Sequence, residues 1–115
     1  MAFPKVILFP EKDQQIGKVG KVLGHPARVS ILKILKKHRR LYVMDIVHKL
    51  PLSEGTVSEH LRKLREAGLI RVEEKGLFNR YTLDMSGLRL VDEALHVFME
   101  ELLAGIDRGH ATNST

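Results

Sequence analysis

A chain of 115 residues and 13.1 kDa is long enough for one domain with a modest core, and short enough that a partner subunit would help it bury apolar surface. With no cysteine it can build neither a disulfide framework nor a thiolate metal site, and its longest apolar run near the N-terminus, Val6 to Phe9, is too short for a membrane span or a signal segment. The formal charge of +5 is unevenly spread: eight basic residues and no acid lie between Gln14 and Met44, whereas Met85 to Asp107 holds five acids against Arg89. A basic half suits a polyanion such as nucleic acid, the competing reading being a solvated cationic helix face, and a cytoplasmic location without membrane contact is expected.

Residues 1–12, with Phe3-Pro4 near one end and Phe9-Pro10 near the other, are expected to form an extended arm without an assigned function. The domain proper is expected over residues 13–106. Its first helix, about Asp13 to Leu23, keeps Ile16, Val19 and Leu23 at helical spacing despite Gly17 and Gly20. Gly24-His25-Pro26 breaks it, and Pro26 suits the first position of a second helix that buries Val29, Ile31, Leu32, Ile34 and Leu35 and runs to about His38. A third helix is expected near Val43 to Leu50, followed by a turn at Pro51-Leu52.

Ser53 then caps a fourth helix, because its hydroxyl can accept from an orphan amide of the first turn, where Glu54 also suits the helix dipole. Val57, Leu61 and Leu64 form its buried stripe, leaving Glu54, Gly55, Thr56, Ser58, Glu59, His60 and Lys63 for the other faces, and Gly68 closes it. Two helices joined by a few residues, the second fronted by small hydrogen-bonding side chains, make a helix-turn-helix.

Two short segments follow, near Leu69 to Glu73 and Asn79 to Leu83, around a turn at Lys75-Gly76. They predict a β-hairpin, a wing whose Lys75, Asn79 and Arg80 can reach DNA, the alternative being a hairpin that only covers the core. A last helix, about Ser86 to Ala104, carries Leu88, Val91, Leu95, Phe98 and Leu102 on one stripe and Leu90, Val97, Met99 and Leu103 outside it. That is more apolar surface than one covered side requires, so its second face, with the first helix, is expected to pack on a symmetry mate in a homodimer. Residues 107–115 read as a flexible polar tail. The expected fold is thus mainly α with a small β-hairpin, a winged helix-turn-helix in the order α-α-α-α-β-β-α.

LGHPARVSIL and LSEGTVSEHLRKLREAGLI, followed by the wing, resemble the ArsR/SmtB family of bacterial winged-helix repressors, over about residues 18 to 84. The resemblance implies a dimer on an inverted-repeat operator in double-stranded DNA that blocks its own promoter and releases it when an inducer binds. It places Ser53, Gly55, Thr56, Ser58 and His60 on the recognition helix and Arg80 on the wing. The chain departs from the family's metal sensors: Tyr42-Val43-Met44 stands where some carry Cys-Val-Cys, and Asp84 is followed by Ser86, with Val97 downstream, where others carry histidines on the last helix. No metal and no cofactor are therefore expected. Asp92, Glu93, His96 and Glu100 keep one alternative open, a metal-responsive repressor with His and carboxylate ligands, and a protein-interaction module on the same scaffold is another.

For DNA, Arg62, Lys63, Lys75 and Arg80 are expected at the backbone or minor groove and Thr56, Ser58 and His60 at base edges, with protonation of His60 strengthening binding below about pH 6.5. No nucleophile, base and orienting group come together in the sequence and no phosphate-cradling loop follows a strand, so an enzyme is not expected.

Overall fold

The computed structural model describes residues 4–75 and 78–106. A single 3-10 turn, Lys5–Leu8, leads into α1 (Glu11–Leu23) and α2 (Pro26–His38); β1 (Leu41–Tyr42), α3 (Val43–Val47) and α4 (Glu54–Glu66) follow, then β2 (Ile70–Lys75), β3 (Phe78–Leu83) and α5 (Met85–Leu103). The three strands form one antiparallel sheet in the order β1-β3-β2. β2 and β3 pair from Ile70 opposite Leu83 to Lys75 opposite Phe78, and β1 pairs Leu41 with Tyr81 and Tyr42 with Arg80.

Local chemistry accounts for the helix limits. At the start of α2, Pro26 supplies a preset φ and His25 is the cap, its Nδ1 accepting from the Ala27 amide at 3.1 Å. α4 ends in a Schellman motif: the Leu69 amide donates to the Leu64 carbonyl and the Gly68 amide to that of Arg65, both at 3.0 Å, and Gly68 takes the required left-handed φ of 78°. Asp84 caps α5, accepting from the Gly87 amide at 3.1 Å and the Ser86 hydroxyl at 2.8 Å. Those two bonds hold its carboxyl below the usual aspartate range. Gly87 sits so close to the α4 turn that an added Cβ would lie 1.7 Å from the Gly68 carbonyl oxygen, so two glycines dock α5 against the end of α4.

The core gathers Val22 of α1, Ile31 and Leu35 of α2, Ile46 of α3, Val57, Leu61 and Leu64 of α4, and Leu69 and Ile70 at the entry to β2. α4 thereby has its apolar stripe fixed against α2, α3 and the sheet. α5 differs: Leu88 and Val91 pack against the core, yet the helix has no fully buried residue.

Four details depart from the sequence-based expectation. β1 was not anticipated, because two residues show no alternation and exist as a strand only by pairing with β3. α3 stops at Val47, the next residues forming a turn. α1 begins at Glu11 behind Pro10, and residues 5–8 are a 3-10 turn, so the N-terminal segment is not extended throughout. In α2, Val29 is exposed, and Arg28 takes a place in the buried stripe with Ile31 and Leu35. Residues 107–115 and the Lys75-Gly76 turn's glycine fall outside the described residues.

Candidate nucleic-acid interface

The N-terminal half of α4 is held ready by its cap. The Ser53 hydroxyl oxygen accepts from the Thr56 amide at 3.3 Å while its proton goes to Thr56 Oγ1 at 2.9 Å, so the Ser53 hydroxyl is oriented before any ligand arrives and the Thr56 proton is left to be donated outward. Ser53, Glu54, Gly55, Thr56, Ser58 and Glu59 are all exposed, and the space beside Gly55 is open enough that an added Cβ would meet nothing within 4 Å. Three hydroxyls, a bare backbone at Gly55 and the partial positive charge of the helix N-terminus thus lie exposed together.

The cations expected at phosphates are placed unequally. Arg62 donates through Nε and Nη2 to the Glu59 carboxylate and through Nη1 to Glu66 Oε2 at 2.6 Å, one turn either way along the helix. The Arg62 bond is the first cause of the lowered Glu59 pKa, and the two carboxylates in turn raise that of Arg62. Lys63 is exposed and, among the described residues, enters no ion pair. Arg80 is not at the wing tip: it lies across the sheet between Tyr42 and Glu73, its Nη2 3.6 Å from Glu73 Oε2 and its Nε buried and, among the described residues, without a partner. Lys75 ends β2, beside the undescribed turn.

His60 is a correction. It was expected on the outward face, but it is only 6% exposed, and its Nδ1 accepts from Arg28 Nε at 3.1 Å. On a helix, residue 60 lies about 60° from residue 57 and closer still to residue 64, inside the wide stripe that a globular helix buries; taking Val57, Leu61 and Leu64 alone drew the stripe too narrow. Burial, then the charges of His25, Arg28 and Lys63, lower its pKa below the ordinary histidine value, so the ring is neutral near pH 7 and cannot supply the cation once expected from it. Arg28, which sequence reasoning counted only among the basic residues, had one signal: it stands at i and i+3, i+7 from Ile31 and Leu35.

On α5, His96 Nε2 and Glu100 Oε1 pair at 3.1 Å with both side chains exposed, as are Asp92 and Glu93. Among the described residues no three histidine or acidic side chains gather as a metal site. Between α1 and α5 runs a groove of about 330 Å³ whose apolar lining includes Ile16, Leu90, Val97 and Phe98, with Asp13, Glu93 and Glu101 along it. Leu90 is 63% exposed, and Val97, Met99, Leu102 and Leu103 are exposed with it.

Residues 25–72 match the family described as bacterial regulatory protein, arsR family. The chain is 32% identical over 71 residues to the HTH-type transcriptional regulator MJ1325 of Methanocaldococcus jannaschii, a match covering 62% of this chain and 80% of that one. It is 30% identical over 88 residues to the arsenical resistance operon repressor of Escherichia coli, covering 73% and 75% respectively. The homodimeric winged helix-turn-helix DNA-binding domain Mb0332 of Mycobacterium bovis, solved by NMR, superposes with a TM-score of 0.61 at 25% identity, covering 89% of this chain and 91% of that one.

Proposed function

The chain belongs to the arsR family of bacterial regulatory proteins and is a winged helix-turn-helix transcriptional regulator; we propose that it represses transcription as a homodimer, each subunit laying the N-terminal half of α4 into the major groove of one half of an inverted-repeat operator. The observation that carries the reading is the Ser53–Thr56 cap at an exposed helix end made of small hydrogen-bonding residues. Thr56 and Ser58 are the base-edge candidates, the Thr56 methyl suiting a thymine methyl, and Ser53 and Gly55 bring backbone close to phosphate. Lys63 is the first phosphate contact because its charge is unpaired within the subunit among the described residues. Arg62 and Arg80 serve by exchanging their carboxylates for phosphates, and Lys75 by its place at the wing. His60 takes no part at the bases.

Dimerisation accounts for the uncovered apolar residues of α5: on a lone subunit Leu90, Val97, Met99, Leu102 and Leu103 leave the kind of exposed apolar surface that soluble monomers avoid. No helix among the described residues is long and apolar enough to cross a membrane, and a cytoplasmic place belongs to the proposal. So does independence of metal, since the His96–Glu100 pair supplies two ligands where zinc takes four.

The test is fluorescence anisotropy on the duplex upstream of the protein's own gene against a scrambled duplex, across a salt series, with zinc and then with chelator. Preferential binding that weakens steeply with salt and ignores zinc is expected. Equal affinity for both duplexes would sink the operator reading and turn attention to a protein partner; release by zinc would restore the acidic cluster around His96.

A further inference from the structure

The Arg28–His60 pair is buried polar chemistry that DNA contact does not use. Arg28 is 9% exposed and has no carboxylate partner among the described residues. Its guanidinium instead donates in two directions: Nη1 to the Val22 carbonyl at 3.1 Å and the Lys21 carbonyl at 3.3 Å, at the C-terminal end of α1, and Nε to His60 Nδ1 at 3.1 Å. The negative end of the α1 dipole is thus the counter-charge of a buried cation, and the same cation reaches across to the recognition helix. A buried cation with bonds this well directed is costly to leave half-satisfied, so the three helices are held in one relative position.

We infer that His60 is a positioning residue of the DNA-reading helix: its neutral ring and Arg28 form a clamp that fixes α4 on α2 and α1, and acid opens that clamp. The inference rests on the reading that α4 enters the groove. Because Nδ1 accepts, the single ring proton sits on Nε2, which is buried and finds no partner among the described residues. A second proton can go only to Nδ1, where it turns an acceptor into a donor facing Arg28 Nε–H and sets two cations 3.1 Å apart.

The surroundings give the protonated ring little help. From α2, Arg28 and the capping His25, whose ring centroid is 4.4 Å away, oppose it; on its own helix Lys63 opposes it, and Glu59, which favours it, is engaged by Arg62. Asp45 of α3 accepts from the Tyr42 amide, and Glu73 of β2 faces Arg80. The folded-state pKa of His60 lies below its unfolded value, so an opened or unfolded chain takes up the proton first; the clamp is complete above about pH 6.5 and is lost as pH falls from there. This reverses the acid strengthening expected from an exposed His60.

Two variants and two readouts test it. His60→Asn puts an amide oxygen near the place of Nδ1 and cannot ionise, whereas His60→Leu removes the acceptor. By NMR, the wild-type His60 ring should titrate below the ordinary histidine value, and the amide resonances of α4 should move with the same midpoint. By anisotropy on the upstream duplex between about pH 7.5 and 5, wild type should lose up to about tenfold in affinity per pH unit below that midpoint relative to His60→Asn. His60→Leu should bind about tenfold more weakly than wild type at neutral pH, with His60→Asn restoring most of the loss. Superimposable pH profiles for wild type and His60→Asn, or a ring that titrates at the ordinary value, would overturn the clamp. If wild type prefers no duplex even at neutral pH, the operator reading fails separately, and the ring and amide titrations still decide the clamp.

Discussion

α4 and α5 lie against the same core and bury it to very different depths. In α4, Val57, His60, Leu61 and Leu64 are buried and the outward residues are polar or charged, whereas α5, with 19 residues the longer helix, has no fully buried residue and exposes Leu90, Val97, Met99, Leu102 and Leu103. The contrast teaches that burial within one subunit closes the inner face of α4, the proposed reading helix, and leaves apolar residues of α5, the proposed joining helix, open. The inner face of α4 is closed by packing and by the Arg28–His60 bond, as the proposed reading role requires of a helix that must hold its orientation before DNA arrives. In the proposed dimer, α5 would cover these apolar residues with a second copy, the side on which the single subunit leaves them exposed.

Substitutions can break or sharpen this contrast. The largest effect is expected on the closed side: Leu61→Ala should cost about 2–5 kcal/mol in denaturant unfolding, because the cavity opens where α2, α3 and α4 meet. A loss under about 1 kcal/mol would mean the core can collapse around the gap and that α4 is less firmly set than its burial implies. Next comes the seam between the two regions: Gly87→Ala should cost about 1–3 kcal/mol by overpacking, since its methyl would fall on the Gly68 carbonyl, whereas Gly17→Ala, with nothing within 4 Å, should stabilise α1 slightly in the same assay. Similar behaviour of the two variants would show that α5 can slide away from α4 at little cost.

At the reading end, Ser53→Ala should cost about 1 kcal/mol and faster amide exchange at Glu54 to Val57, with Ser53→Asp recovering the stability. Unchanged exchange in the alanine variant would show that the cap does not hold the helix end. On the open side, Leu90→Glu should change the stability of the subunit itself by less than about 0.5 kcal/mol. Sedimentation should nonetheless show its mass falling from two chains to one; a persistent two-chain mass would place the dimer interface elsewhere.

Most of the reading unit was legible along the chain because its signals are local. Ser53 precedes its helix, Pro26 opens α2 and Gly68 ends α4, each acting within a few residues on backbone groups that need partners. The Arg62 bonds to Glu59 and Glu66 are also local, at i,i+3 and i,i+4, and that spacing could have warned that Arg62 does not stand free. β1 had no such signal, since its two residues acquire their geometry from β3. Arg80 gave a basic residue on a wing, but its partner Glu73 is set by strand register.

Hydrophobic spacing, caps and the order of elements thus determined the helix-turn-helix, the hairpin behind it and the surplus apolar face of α5, because each depends on residues near one another in the chain, while the family came from the resemblance of LGHPARVSIL and LSEGTVSEHLRKLREAGLI to known repressors. Only the tertiary structure decided what His60 does. Its partner Arg28 lies 32 residues away, and whether an imidazole is a surface cation or a buried acceptor depends on which side of a helix another helix covers. The same packing settled which cations are already engaged, since an ion pair across a sheet or a bond between helices comes into being when distant segments are brought to within about 3 Å of one another.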